Sequence, residues 1–114
     1  MSFSETVSLI TTLNKLHEFL AQRNHHAYIV GGFIRDWLLG RRTNDVDIAV
    51  DGNAQSIAGD VARDLGGKFV LLDDVNNIAR VVIIEKEQRW HLDFCSFSGD
   101  IRADLARRDF TINA

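Results

Sequence analysis

Apolar residues along this chain switch between two repeats. Leu9, Ile10, Leu13, Leu16, Phe19 and Leu20 recur at helical spacing, while Lys15, Glu18 and Gln22 fall on other faces. Ser2-x-x-Glu5 has the form of a capping box, so a helix is expected from about Ser4 to Arg23. Asn24-His25-His26 breaks it. Ala27-Tyr28-Ile29-Val30 reads as a short buried strand running into Gly31-Gly32. Phe33, Ile34, Trp37 and Leu38 suit a short helix ending at Gly40, and Arg41-Arg42-Thr43-Asn44 is a polar turn. Asp45 to Val50 alternates as a strand does, closed by Asp51-Gly52. Ala54, Ile57, Ala58, Val61, Ala62 and Leu65 return to helical spacing, started by Asn53 and stopped by Gly66-Gly67. Three strands follow, Lys68 to Leu72, Ile78 to Ile84 and Arg89 to Phe94, with turns at Asp73 to Asn77 and Glu85 to Glu87. Ser98-Gly99-Asp100 opens a last short helix through Leu105. The order predicts an α/β (α+β) fold, a mixed sheet of about five strands with flanking helices. Its last three strands are expected to be antiparallel.

Composition narrows this picture without changing it. The chain has 114 residues, 46% hydrophobic and 25% charged, with a formal net charge of −3. That is enough apolar content for one core and too little charge for disorder. A single cysteine, Cys95, excludes a disulfide scaffold and suits a small core residue. No apolar run approaches the roughly 18–20 residues of a membrane helix, and the start of the chain has no signal-peptide pattern. A cytoplasmic setting is expected. The charges themselves are biased: 12 of the 16 acids are Asp, and 10 of the 13 bases are Arg. Asp favours caps, turns and metal sites, and Arg presents a fork for phosphate and carboxylate.

Three clusters could carry chemistry. In Gly31-Gly32-Phe33-Ile34-Arg35-Asp36 a strand runs through two glycines into a helix. Such a turn lets backbone amides approach an anion, and Arg35 adds a fork for phosphate oxygens. The plain alternative is a tight turn with an exposed Arg35–Asp36 pair. Asp45-x-Asp47 places two carboxylates on one face of a strand, with Cα atoms roughly 6.5–7 Å apart. That pair could hold one or two Mg²⁺ ions together with substrate phosphate oxygens; alternatively, Asp45 caps a turn and Asp47 is solvated at a strand edge. Arg107-Arg108-Asp109-Phe110-Thr111-Ile112-Asn113-Ala114 combines cations, an acid and an amide around Phe110 and Ile112. It could bind nucleotide, or simply match charge at a helix C-terminus. Asp93, on a strand between Leu92 and Phe94, is a possible third carboxylate. Asp73-Asp74 reads as a turn, and His25-His26 as a solvated loop.

Taken together, Gly31-Gly32-x-x-Arg35-Asp36-x-Leu38-Leu39-Gly40, Asp45-x-Asp47 and Asp104-Leu105-x-Arg107-Arg108-Asp109-Phe110-Thr111-Ile112-Asn113-Ala114 resemble the class II tRNA nucleotidyltransferase/poly(A) polymerase family. The resemblance spans about residues 27–114. It implies the head, or palm, domain of the polymerase β-like nucleotidyltransferase superfamily. The activity it implies is transfer of AMP or CMP from ATP or CTP to an RNA 3′ hydroxyl, with release of pyrophosphate. By position, Asp45 and Asp47 match the family's metal-binding carboxylates for a two-metal Mg²⁺ mechanism. Gly31, Gly32 and Arg35, with Asp36 beside them, match the triphosphate cradle. Arg107, Arg108, Asp109 and Asn113 match the motif that contacts nucleotide, with Asp109 reading the ribose 2′-hydroxyl. Asp93 falls where members carry an acidic strand residue. Ser98 stands where many members have Arg, and the short connection from Phe97 to Asp104 resembles the branch holding separate CC-adding and A-adding enzymes.

The resemblance further implies one head domain over residues 1–114, with a helix and loop over 1–26 and a catalytic core over 27–114. It also implies neck, body and tail domains elsewhere in a longer enzyme. The expected partners are an NTP and the 3′ end of an RNA, a tRNA in the parent enzyme, with no membrane. The piece alone is expected to be inactive and to bind RNA poorly at a net charge of −3. Two other classes remain open to the sequence: a small free-standing nucleotidyltransferase modifying a small molecule or protein, and a non-enzymatic signalling module built on Asp73-Asp74.

Overall fold

The computed structural model describes residues 3–30, 36, 38–40 and 44–97. Within them lie helix α1 (Phe3–Gln22), strands β1 (Ala27–Val30) and β2 (Asp45–Val50), helix α2 (Ala54–Leu65) and strands β3 (Lys68–Asp73), β4 (Ile78–Glu85) and β5 (Gln88–Ser96). Asp36 and Leu38 are helical as well. Ser2 of the expected capping box and the expected helix from Ser98 to Leu105 lie outside the described residues.

The five strands form one mixed sheet in the order β1-β2-β5-β4-β3. β3, β4 and β5 pair antiparallel, as their tight connections require. β2 joins β5 in parallel, and β1 closes the sheet antiparallel to β2. The chain therefore leaves β2 at one side of β5, crosses over through α2 to the far edge, and returns by two hairpins. This brings β2 and β5 side by side although about forty residues separate them in sequence.

One face of the sheet carries the core. Val46, Ile48 and Val50 of β2, Trp90, Leu92 and Phe94 of β5, and Ala79, Val81 and Ile83 of β4 are buried there. Leu9, Leu16, Phe19 and Leu20 of α1 and Ala54, Ile57, Ala58 and Val61 of α2 join the same cluster. Both helices thus share one side, which matches the alternation of β4 and β5, while Tyr28 of β1 and Ala49 of β2 are buried on the other face as well. The expected apolar stripe of α1 holds except at Ile10, which is exposed. Ser8 and Thr12 take buried positions instead. The Trp90 indole donates to Ser8 Oγ at 2.8 Å, and that hydroxyl donates to the Glu85 carbonyl at 2.8 Å. The hydroxyl lets α1 lie against the β4–β5 hairpin without an orphaned indole N–H.

Helix α2 begins at Asn53, whose side chain accepts from the Ser56 amide, and ends at Gly66 with φ 74°. Gly67 has a different role from Gly66. A Cβ there would meet Ile83 Cδ1 at 2.6 Å and the Val82 carbonyl at 2.9 Å, so the chain passes hard against β4. The β4–β5 turn holds Lys86 and Glu87 at φ 49° and 67°, the conformation of a two-residue I′ hairpin.

Candidate active site

On the opposite face, polar and charged side chains gather around the start of β2 and the middle of β5. Asp45 and Asp47 point there, because their neighbours Val46 and Ile48 fill the core. β2 is an interior strand, flanked by β1 and β5, so Asp47 is not at a sheet edge, although it is exposed as the plain alternative expects. Register then assembles the site. Asp47 lies directly opposite Asp93 on β5, and Asp45 opposite His91. Asp93 in turn lies opposite Arg80 on β4. Five groups from three strands therefore share one patch.

Each is held differently. Asn44 pins the start of β2 to β5: its carbonyl accepts from the His91 amide at 2.8 Å and its side-chain amide donates to the Arg89 carbonyl at 2.7 Å. The His91 ring, through Nδ1, lies 2.8 Å from Asp45 Oδ1. Arg80 grips Asp93 with a fork, Nε to Oδ1 at 2.7 Å and Nη2 to Oδ2 at 3.0 Å. The Asp93 side chain is 14% exposed and that of Asp45 55%, so Asp93 forms the floor of the patch and Asp45 its rim.

The electrostatics follow from this crowding. Burial pushes the Asp47 carboxyl above the usual carboxylate range, and the neighbouring charges of Asp93 and Asp45 push it further; Arg80 opposes them. The Arg80 guanidinium is raised chiefly by its hydrogen bonds to Asp93, against the effect of burial. Cys95 is not the core residue its composition suggested. It sits half-buried on this open face, and burial followed by the charge of Asp47 raises its thiol, which makes it a poor nucleophile.

A divalent cation fits this donor set. Two carboxylates at i and i+2 on an interior strand offer hard oxygen ligands, and mutual repulsion at Asp47 is what a cation relieves. Among the described residues no group of three or more His, Cys, Asp or Glu is arranged to hold an ion. Mg²⁺ takes a couple of protein carboxylates and completes its shell with water and phosphate oxygens.

Of the other predicted site residues, Asp36 is helical and half-buried in the connection between β1 and β2. Gly31, Gly32, Arg35, Arg107, Arg108, Asp109 and Asn113 lie outside the described residues. His25-His26 is more than a solvated loop: the His26 amide donates to Asp51 Oδ1 at 3.0 Å, and its ring Nδ1 lies 2.9 Å from Oδ2. Asp73 is the last residue of β3, not part of the turn expected there, and it caps the turn at 74–77 by accepting from the Asn76 amide at 3.0 Å. Sequence reasoning missed Arg80 and His91. The available signal was a charged or polar residue at an alternating position of an otherwise apolar strand, in phase with Asp93.

Comparison with known proteins gives the family of the fold. Residues 27–114 match the family model described as the poly A polymerase head domain. A CC-adding tRNA nucleotidyltransferase of Geobacter sulfurreducens is 46% identical over 89 residues, covering 77% of this chain and 20% of that protein. Solved complexes of a CCA-adding enzyme with ATP and with CTP superpose with TM-scores of 0.73 and 0.71, each at 33% identity over 92% of this chain. They cover 27% and 26% of those chains, so the protein described here spans about a fifth to a quarter of the relatives' length. No helix among the described residues is long and apolar enough to cross a membrane. By sequence and fold, the chain belongs to the poly(A) polymerase head-domain family, whose relatives include CC-adding and CCA-adding tRNA nucleotidyltransferases.

Proposed function

We propose that this chain is the catalytic head of a tRNA nucleotidyltransferase, moving CMP or AMP from a nucleoside triphosphate to the 3′ hydroxyl of a tRNA and releasing pyrophosphate. The observation that carries the proposal is the register of β2 against β5, which puts Asp45 and Asp47 beside Asp93 on an open sheet face. The ATP and CTP complexes of similarly folded CCA-adding enzymes support the choice of substrate.

In this reading Asp45 and Asp47 hold Mg²⁺. The ion, when bound, supplies charge that activates the attacking hydroxyl and steadies the departing pyrophosphate. The chain's own residues do the rest. The interior position of β2 fixes the backbone that presents the two carboxylates on one face. His91 orients the rim carboxylate Asp45. Gly31, Gly32 and Arg35 cradle the triphosphate, with Asp36 beside them, and Arg107, Arg108, Asp109 and Asn113 contact the nucleotide; these assignments rest on their match to the family motifs.

The test is ATP and CTP binding by calorimetry with and without Mg²⁺. Mg²⁺-dependent binding is expected, and Asp45→Ala and Asp47→Ala should each abolish the dependence while Asp60→Ala, on the far side of α2, does not. Equal Mg²⁺ dependence in all four proteins would remove the site assignment.

A further inference from the structure

Asp93 lies beside Asp47 in register, yet both of its carboxylate oxygens are already engaged by Arg80 at 2.7 and 3.0 Å. Building on the metal-binding role given above to Asp45 and Asp47, we propose that Arg80 is a positioning residue that withholds Asp93 from the cation, so that the open face takes its divalent ion through Asp45 and Asp47 alone.

Three observations carry this. First, the fork is bidentate, and a planar guanidinium matched to a carboxylate is the strongest pairing two such side chains make. Second, the pair is in place by register, not by chance contact: Arg80 and Asp93 are direct cross-strand neighbours, and the flanking Val81–Leu92 and Ala79–Phe94 pairs lock the strands in the core. Third, Asp93 is the most enclosed of the three acids, so a cation reaching for it would have to displace Arg80 within the sheet. The arrangement has a purpose. Three uncompensated carboxylates in one patch would hold a cation tightly and repel an incoming triphosphate. One guanidinium cancels one of those charges, leaving a site that needs substrate phosphate oxygens to complete the ion's shell. Arg80 thereby sets the affinity and the number of carboxylates offered without touching metal or substrate.

The test is a cycle of four proteins, the 114-residue chain and its Arg80→Gln, Asp93→Asn and Arg80→Gln/Asp93→Asn variants. Each is titrated with Mn²⁺ by electron paramagnetic resonance, with Asp47→Asn as the reference for a lost ligand. Arg80→Gln frees a carboxylate and removes a positive charge, so it should tighten Mn²⁺ binding about tenfold. Asp93→Asn alone exposes an unpaired guanidinium and should weaken it. The double variant removes both charges and no ligand, and is expected to bind Mn²⁺ within about twofold of the parent. A loss of about tenfold or more in the double variant, comparable to Asp47→Asn, would make Asp93 a ligand and overturn the inference. Mn²⁺ binding that Asp47→Asn leaves untouched would instead overturn the metal reading itself, a distinguishable result. If the double variant does not melt cooperatively, Arg80→Lys replaces it. That change keeps the charge but not the fork, so Mn²⁺ should bind more tightly; unchanged or weaker binding would overturn the inference.

Discussion

The two faces of the sheet are written by alternate residues of the same strands, and they obey opposite rules. On the covered face Val46, Ile48, Leu92, Phe94 and Val81 are almost completely removed from water. One position away, Asp45, Asp47, Asp93, His91 and Arg80 crowd charge onto the open face. The covered face is stabilised by area excluded from water. The open face holds like charges together at a cost, which burial and repulsion at Asp47 make visible. Stability and proposed chemistry are therefore separated by the pleat, about a side chain's width, and not by distance along the fold. A substitution's effect should depend on its parity within a strand more than on which strand it occupies.

The largest break in that comparison comes from the covered face. Phe94→Ala, at the centre of the core beside the carboxylate Asp93, should cost about 3–5 kcal/mol in urea unfolding. For a domain of this size that can be most of its stability. Gly67→Ala comes next. The added methyl would meet Ile83, Val81 and the Val82 carbonyl at under 3 Å, so α2's exit from the sheet must shift, at about 1–3 kcal/mol. Gly66→Ala provides the contrast one residue earlier. Its cost should be about 1 kcal/mol, from the left-handed φ alone, because open space surrounds it.

The open face should behave in the reverse sense. Asp47→Asn removes a charge that folding disfavours, so thermal melting in metal-free buffer at neutral pH should rise above that of the parent. The sign follows from the raised folded carboxyl. The folded state binds the proton more readily than the unfolded chain, so stability falls as pH rises through the folded pKa. The Asn variant lacks that loss, and its advantage should vanish in acid, below the ordinary carboxylate range. A variant that is more stable and no longer binds Mg²⁺-ATP would show stability set aside for a site. Asp47→Asn melting below the parent at neutral pH would break the comparison.

Much of this was legible before the fold was known, for reasons specific to each element. The second helix was bounded to the residue by Asn53 and Gly66, because caps are local chemistry. The Asp45-x-Asp47 face was legible because alternation needs no knowledge of neighbours. What escaped is non-local. The Arg80–Asp93 fork depends on β4–β5 register, and the Asp47–Asp93 approach on a parallel pairing reached through a crossover. Ser8 was passed over because a hydroxyl does not read as core, and its bonds to the Trp90 indole and the Glu85 carbonyl are what make burying it favourable. Cys95 was misplaced for a related reason: composition ranks it as buried, but its parity follows Asp93.

The smallest effect belongs to a tie that lies at the strand ends, on neither face. Asp51, just past β2, accepts from the His26 amide just before β1, and the His26 ring lies against its other oxygen. The His26 carbonyl accepts from the Asp51 amide at 3.1 Å in return. Burial alone would raise the Asp51 carboxyl, but these hydrogen bonds and the charges of His26 and His25 outweigh it and hold it below the usual range. The unfolded chain therefore takes up the proton first as pH falls. The tie's contribution is fully present above the unfolded carboxylate pKa and is lost as pH drops through the folded one, from about pH 4–5 downward. The side chains are exposed enough that the gain is modest and screened by salt. Urea midpoints measured through that acid window should fall less steeply for Asp51→Asn than for the parent, with the two curves meeting at the acid end. Because β1 is an edge strand that pairs, among the described residues, with β2 alone, the same variant should also speed amide exchange at Ala27 to Val30 while leaving β4 and β5 protected. Equal exchange across all five strands would mean that the tie is not what fastens β1, and that the pairing of Ile29 with Ile48 suffices.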